Sequence, residues 1–131
     1  MYLLDTNICI YVINKSPANV VAKIKTFKPS QIKLSSISLG ELECGVYKSR
    51  SKEKNKAALI EFVSGFDIVV FDDRDAEVFG VLRVDLEARG LVIGPYDMQI
   101  AAQAITRDLT LVTNNTNEFG RIRNLRLENW A

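Results

Sequence analysis

Short apolar runs alternate with stretches of helical periodicity along nearly the whole chain, and that order leaves few folds open. Strand-like and helix-like signals taken in turn imply a parallel sheet whose strands are joined by crossover helices. Tyr2–Leu4 reads as a first strand and Ile8–Ile13 as a first helix; Ser16-Pro17 looks like an N-cap with proline at N1, opening a helix from Ala18 to about Phe27 that Pro29 ends. Ile32–Ser36 reads as a second strand. Ser38-Leu39-Gly40-Glu41 then has the spacing of a capping box at the head of a third helix.

Lys48 to Lys56 is polar and mostly basic, which reads as a helix end and a connection before another helix at Ala57–Ser64. Asp67–Phe71 is the third strand signal. Asp72 or Asp73 can cap a long helix in which Val78, Leu82 and Leu86 share one face, with Gly90 ending it at C′. Gly94-Pro95 opens a helix that carries Asp97, Ile100, Ala101 and Ala104 on one side. Leu109–Thr113 is the fourth strand, Asn114–Phe119 a polar turn with one helical turn, and Leu125–Leu127 an edge strand before Trp130. A chain of 131 residues with 47% hydrophobic and 25% charged residues suits one domain, 1–131, around a single fold.

Histidine is absent, which removes the usual general base near neutral pH, the Ser-His-Asp triad and imidazole metal sites together. The net charge is +1, from 17 basic and 16 acidic side chains, so any surface for a polyanion must be local. Cys9 and Cys44 form no CxxC pair and read as buried, reduced thiols. The opening Met-Tyr-Leu-Leu-Asp has no basic region before an apolar one, and no apolar run reaches the ~20 residues that span a bilayer, so a cytoplasmic location is the expectation.

In an open parallel sheet, ligands bind beyond the carboxyl ends of the strands. Asp5 follows the first strand, Glu41 lies one turn into the helix after the second, and Asp97 starts the helix leading into the fourth; Glu118 comes shortly after that strand. Unit charges ~4 Å apart repel by about 4 kcal/mol at an effective dielectric near 20. None of the four acids has a basic immediate neighbour, so a raised pKa or a divalent cation is the natural compensation. Oxygen-only ligation suits Mg2+ or Mn2+ better than Zn2+. Each acid also has a structural reading: Asp5 can cap the first helix, Glu41 can close the capping box, Asp97 can complement a helix dipole and Glu118 can be solvated.

Four stretches together resemble the PIN-domain ribonucleases, specifically the VapC toxins of bacterial toxin-antitoxin pairs. They are Leu3-Leu4-Asp5-Thr6-Asn7-Ile8, Ser35 to Leu42, Gly94-Pro95-Tyr96-Asp97 with Ile100-Ala101-Ala102, and Leu111 to Phe119; the tail Leu125 to Trp130 is similar to one VapC branch. The resemblance implies an α/β, three-layer sandwich with a central, mostly parallel sheet flanked by helices. It also implies a Mg2+- or Mn2+-dependent endoribonuclease in which metal-activated water hydrolyses RNA phosphodiesters, leaving a 5′-phosphate. Carried over by motif, Asp5 and Asp97 are the principal metal ligands, Glu41 completes the triad directly or through water, and Glu118 is a fourth catalytic acid. Thr6, Asn7, Thr113 and Asn115 support them. Many family members have an acid where this chain has Asn115, which leaves one metal or two open.

The resemblance further implies a VapB antitoxin that blocks the acidic pocket, a toxin homodimer, and an RNA substrate, with tRNA favoured and the anticodon loop of initiator tRNA the narrower choice. No helix-turn-helix is evident, so sequence-specific DNA binding is expected of the partner rather than of this chain. Candidate RNA contacts are Lys48, Arg50 and Lys52, within a basic stretch that continues to Lys54 and Lys56, and Arg121 and Arg123, followed by Arg126. Tyr47, Phe66 and Trp130 read as core. Receiver-like and dehalogenase-like phosphotransfer folds fit poorly because Asp5 stands without a second acid beside it. A catalytically silent module that keeps the PIN fold is the remaining alternative.

Overall fold

A computed structural model describes residues 1–131. The elements run β1 (Tyr2–Leu4), α1 (Thr6–Asn14), α2 (Ala18–Ile24), a 3-10 turn (Pro29–Gln31), β2 (Ile32–Ser35), α3 (Ser36–Lys48), α4 (Lys52–Val63), β3 (Asp67–Val69), α5 (Asp73–Ala88), α6 (Pro95–Thr106), β4 (Thr110–Val112), α7 (Thr116–Phe119) and β5 (Leu127–Glu128). The strands form one sheet in the order β3-β2-β1-β4-β5, with every pairing parallel.

The two-residue period of the strands sorts their side chains into two cores. Leu3 and Leu111 face one way and pack with Leu82, Leu86, Ile100 and Phe119 from α5, α6 and α7. Leu4, Leu34 and Val112 face the other way, against Ile8, Val20, Leu42 and Leu59 from α1 to α4. Helices therefore cover both faces, and the fully buried strands carry the continuous apolar runs that a sheet covered on both sides requires. Asp72 caps α5 through the amides of Arg74 and Asp75, and Gly90, at φ +66°, follows its end. The buried Asp75 carboxylate pairs with Arg107 at the end of α6, which fixes α6 against the start of α5.

Several boundaries differ from those expected. Pro17 is the N-cap of α2 rather than its first helical residue, because its ψ of 157° is extended; α2 stops at Ile24, and Thr26 and Phe27 follow in tight turns whose amides donate three residues back. Ser35, not Ser38, caps α3: its hydroxyl accepts the Ile37 amide, so the helix starts directly off β2 and Ser38 falls inside it. The basic stretch after Lys48 is mostly helix, since only Ser49 to Ser51 interrupt α3 and α4 and the charged residues face water. β3 ends at Val69, where Phe71 N turns instead to Ser36 Oγ. β5 lies at Leu127–Glu128, slightly beyond the expected Leu125–Leu127, because Arg126 O and Glu128 O accept the amides of Leu111 in β4 and of Thr113 just after it. Cys9 is buried, but Cys44 is exposed on the outer side of α3, as is Tyr47. Trp130 is buried, stacked on Phe27 and edge-on to Tyr2. No helix is long and apolar enough to cross a membrane.

Candidate active site

The sheet order places β1 between β2 and β4, so the connections leaving β1 and β4 diverge and open a crevice at their carboxyl ends. Leu4 pairs in register with Val112, which sets Asp5 and Thr113 side by side at that edge. Asp5, Thr6, Asn7, Glu41, Asp97 and Asn115 line a single pocket of about 220 Å3 there, with Phe119 as its one apolar wall. Asp5 caps α1 and also lines the pocket. Its Oδ1 accepts the Ile8 amide at 2.9 Å and caps α1, while its Oδ2 accepts the Thr113 hydroxyl.

Glu41 is not a capping residue. The Thr6 hydroxyl donates to Glu41 Oε1 at 2.7 Å, and Ser38 Oγ stands 3.0 Å from Thr6 Oγ1. With the Thr6 hydrogen given to the carboxylate, the buried Ser38 hydroxyl is left to donate to Thr6, forming a relay from α3 through α1 and back. Ser38 was not among the expected site residues. Its position three before Glu41 on the same helix, hence on the same face, was the available signal.

Asp97 occupies N3 of α6 behind the Gly94 cap and Pro95. Burial pushes its carboxyl up to about 6, and the neighbouring Glu41, Asp5 and Glu118 carboxylates push in the same direction. Burial also raises Asp5 above the usual carboxylate range, against the Thr113 and amide hydrogen bonds that favour its charged form; the Glu41 charge adds to the rise. No Lys or Arg stands within 4 Å of Asp5, Glu41, Asp97 or Glu118, although nine such ion pairs form elsewhere in the chain. The negative charge of the pocket is left without a cationic side chain beside it.

This donor set, carboxylate oxygens without imidazole, thiolate or an internal cation, fits a hard divalent ion. No three acids are drawn together into a finished cage; Thr6 and Thr113 each hold one carboxylate by a hydrogen bond. Glu118 lies beside the pocket rather than in its lining, close enough to act on Asp97, with its Oε2 accepting from Asn115 Nδ2 at 3.1 Å. Asn115 lines the pocket and caps α7.

The basic candidates separate. Lys48 lines a hollow that also contains Glu41, and Lys48, Arg50 and Lys52 take part in no ion pair. Arg123 reaches Asp85 at 3.8 Å and lines a hollow on α5 that shares no residue with the acidic pocket, while the Arg121 guanidinium reaches Val92 O. Arg126 is spent on Asp108.

A family model described as PIN domain matches residues 2–125. Ribonuclease VapC2 of Rickettsia felis is 47% identical over 131 residues, 99% of this chain and 98% of that protein. The tRNA(fMet)-specific endonuclease VapC of Shigella flexneri is 40% identical over 130 residues, again 99% of this chain and 98% of that one. In the crystal structure of VapBC2 from Rickettsia felis bound to a DNA fragment from their promoter, a chain 46% identical superposes with a TM-score of 0.93, over 99% of this chain and 98% of that one.

Proposed function

The chain belongs to the PIN-domain family and to its VapC branch, and on that premise we propose that it is a divalent-metal-dependent endoribonuclease. The observation that carries the proposal is the pocket itself: Asp5, Glu41 and Asp97 come from distant segments to one hollow that contains no compensating cation. Asp5 and Asp97 would hold Mg2+ or Mn2+, with Glu41 joining directly or through water. When bound, such an ion makes water a nucleophile near neutral pH and offsets charge on the reacting phosphate.

The chain's own groups do the positioning. Thr113 and the Ile8 amide orient Asp5. Thr6, backed by Ser38, orients Glu41. Burial and the neighbouring acids raise the Asp97 carboxyl to about 6 in the metal-free pocket, so protons compete with a cation for it in mildly acid solution. Glu118 sits at the margin as a further acid, and Asn115 and Asn7 supply neutral polar walls. With no histidine in the chain, an imidazole base is excluded.

For the substrate we favour tRNA, because the Shigella flexneri relative is named for tRNA(fMet); the anticodon loop of initiator tRNA is the specific target we test. A VapB antitoxin is the proposed inhibitor, supported by the likeness to a toxin-antitoxin complex. A homodimer in the cytoplasm is the proposed assembly and place. Neutral Asn115 is the one feature that favours a silent module, and one experiment separates the two. Purified protein incubated with tRNA and Mg2+ should yield fragments with 5′-phosphate and 3′-hydroxyl ends, and EDTA should stop it. A 2′,3′-cyclic phosphate would refute hydrolysis by external water, and no cleavage with no thermal response to Mn2+ would favour the module.

A further inference from the structure

Beside the acidic pocket lies a larger hollow, of about 610 Å3, between the outer face of α3 and the start of α6. Glu41 lines both, so the two adjoin at its side chain. Gly40, Cys44 and Lys48 recur every four residues along α3, which puts them in one row: bare at Gly40, short at Cys44 and long and cationic at Lys48. A side chain at Gly40 would meet nothing within 4 Å, so the bare floor there is not required by packing. Tyr96, 57% exposed and adjacent in sequence to Asp97, lines the hollow from the start of α6. Glu41 is the only acid in the lining, and Lys48, about 10 Å along the helix from it, has no ion-pair partner.

Resting on the nuclease reading above, we infer that this hollow is a nucleotide subsite flanking the scissile phosphate, where Tyr96 stacks a base and Lys48 takes the next backbone phosphate. An exposed aromatic face beside an unpaired cation is the arrangement that holds single-stranded nucleic acid with little base preference. The bare row at Gly40 and Cys44 leaves room for a flat ring against α3. Adjacency at Glu41 sets that ring beside the bond to be cut, and a stacking site of this kind favours unpaired RNA, whose bases can be splayed out, over duplex.

The exposed Cys44 thiol reports occupancy directly, because Cys9 is buried. In the full chain carrying Asp5→Asn to stop turnover, maleimide labelling of Cys44 is followed with and without a short single-stranded oligoribonucleotide of mixed sequence. Tyr96→Ala, Tyr96→Phe and Lys48→Ala are compared in the otherwise native chain for cleavage. The subsite predicts slowed labelling with RNA, a KM raised about tenfold in Tyr96→Ala with Tyr96→Phe within twofold, and a smaller salt-sensitive rise in Lys48→Ala. Cleavage with unchanged KM in Tyr96→Ala, or RNA that binds without shielding Cys44, overturns the subsite and leaves the nuclease standing. A VapB-type peptide that shields Cys44 where RNA does not assigns the hollow to a protein instead. RNA that neither binds nor is cut defeats the nuclease reading and the subsite with it.

Discussion

Thr6 donates its hydroxyl hydrogen to Glu41 Oε1 at 2.7 Å, joining the side chains that leave the first two strands. The contact spans 35 residues of sequence and orients an acid that has no backbone cap of its own. Thr6→Val removes the donor while keeping the shape. It should lower kcat about tenfold, roughly the worth of one hydrogen bond to a charged group, ~1.5 kcal/mol. Thr6→Ser should restore most of that rate. Parallel thermal melts separate this from unfolding, since the loss of stability should stay under about 1 kcal/mol.

Asp97 makes the metal-free protein less stable as pH rises. Its folded-state carboxyl is raised to about 6, above its value in the unfolded chain near 4, so the folded protein holds that proton more tightly. Below pH 4 the group adds no penalty. Between pH 4 and 6 stability falls, and above 6 the penalty is fully present. Asp97→Asn should therefore raise the melting temperature of EDTA-treated protein at pH 7.5 by a few degrees, for about 1 kcal/mol once water screening of this half-exposed group is allowed for. At pH 4 the two proteins should melt together. A gain of the same size at both pH values would assign the effect to packing.

Salt dependence should distinguish the two basic groups. Lys48 and Lys52 have no ion-pair partner, whereas Arg123 already faces Asp85 at 3.8 Å. Removing a phosphate contact makes the plot of log affinity against log salt shallower by about 0.7 for single-stranded RNA. Lys48→Ala should show that change and Arg123→Ala none. Equal changes in both would place the RNA across α5 as well.

Most of the architecture was legible because the two-residue and 3.6-residue periods are local properties. The alternation of Leu3 and Leu4 between two cores needs only the pleat of a strand, and the α5 face of Leu82 and Leu86 needs only helical spacing. The acids were legible as a set because they follow strand ends, where a parallel sheet collects loops. What stayed hidden is relational. Ser38 and Glu41 match a capping box, and only the competing cap at Ser35 turns Ser38 into a support for Thr6. The buried Gln103 side chain, which accepts from the Ser35 hydroxyl and donates to Val69 O, looks like any polar residue in a helix until β2, β3 and α6 are packed together. Cys44 and Tyr47 lie on an apolar-looking stretch whose outer side remains uncovered in this chain, and composition alone does not reveal which side that is.

Cleavage by Asp5→Asn and Asp97→Asn per folded molecule, measured beside their melting temperatures, tests most directly whether the acids serve chemistry rather than folding. Asp97→Asn should fold at least as stably as the native chain, Asp5→Asn should lose no more than about 1 kcal/mol because asparagine still caps α1, and both should lose at least a hundredfold in rate. Variants whose activity merely follows a diminished folded fraction would contradict a chemical role and reduce the pocket to a set of helix caps.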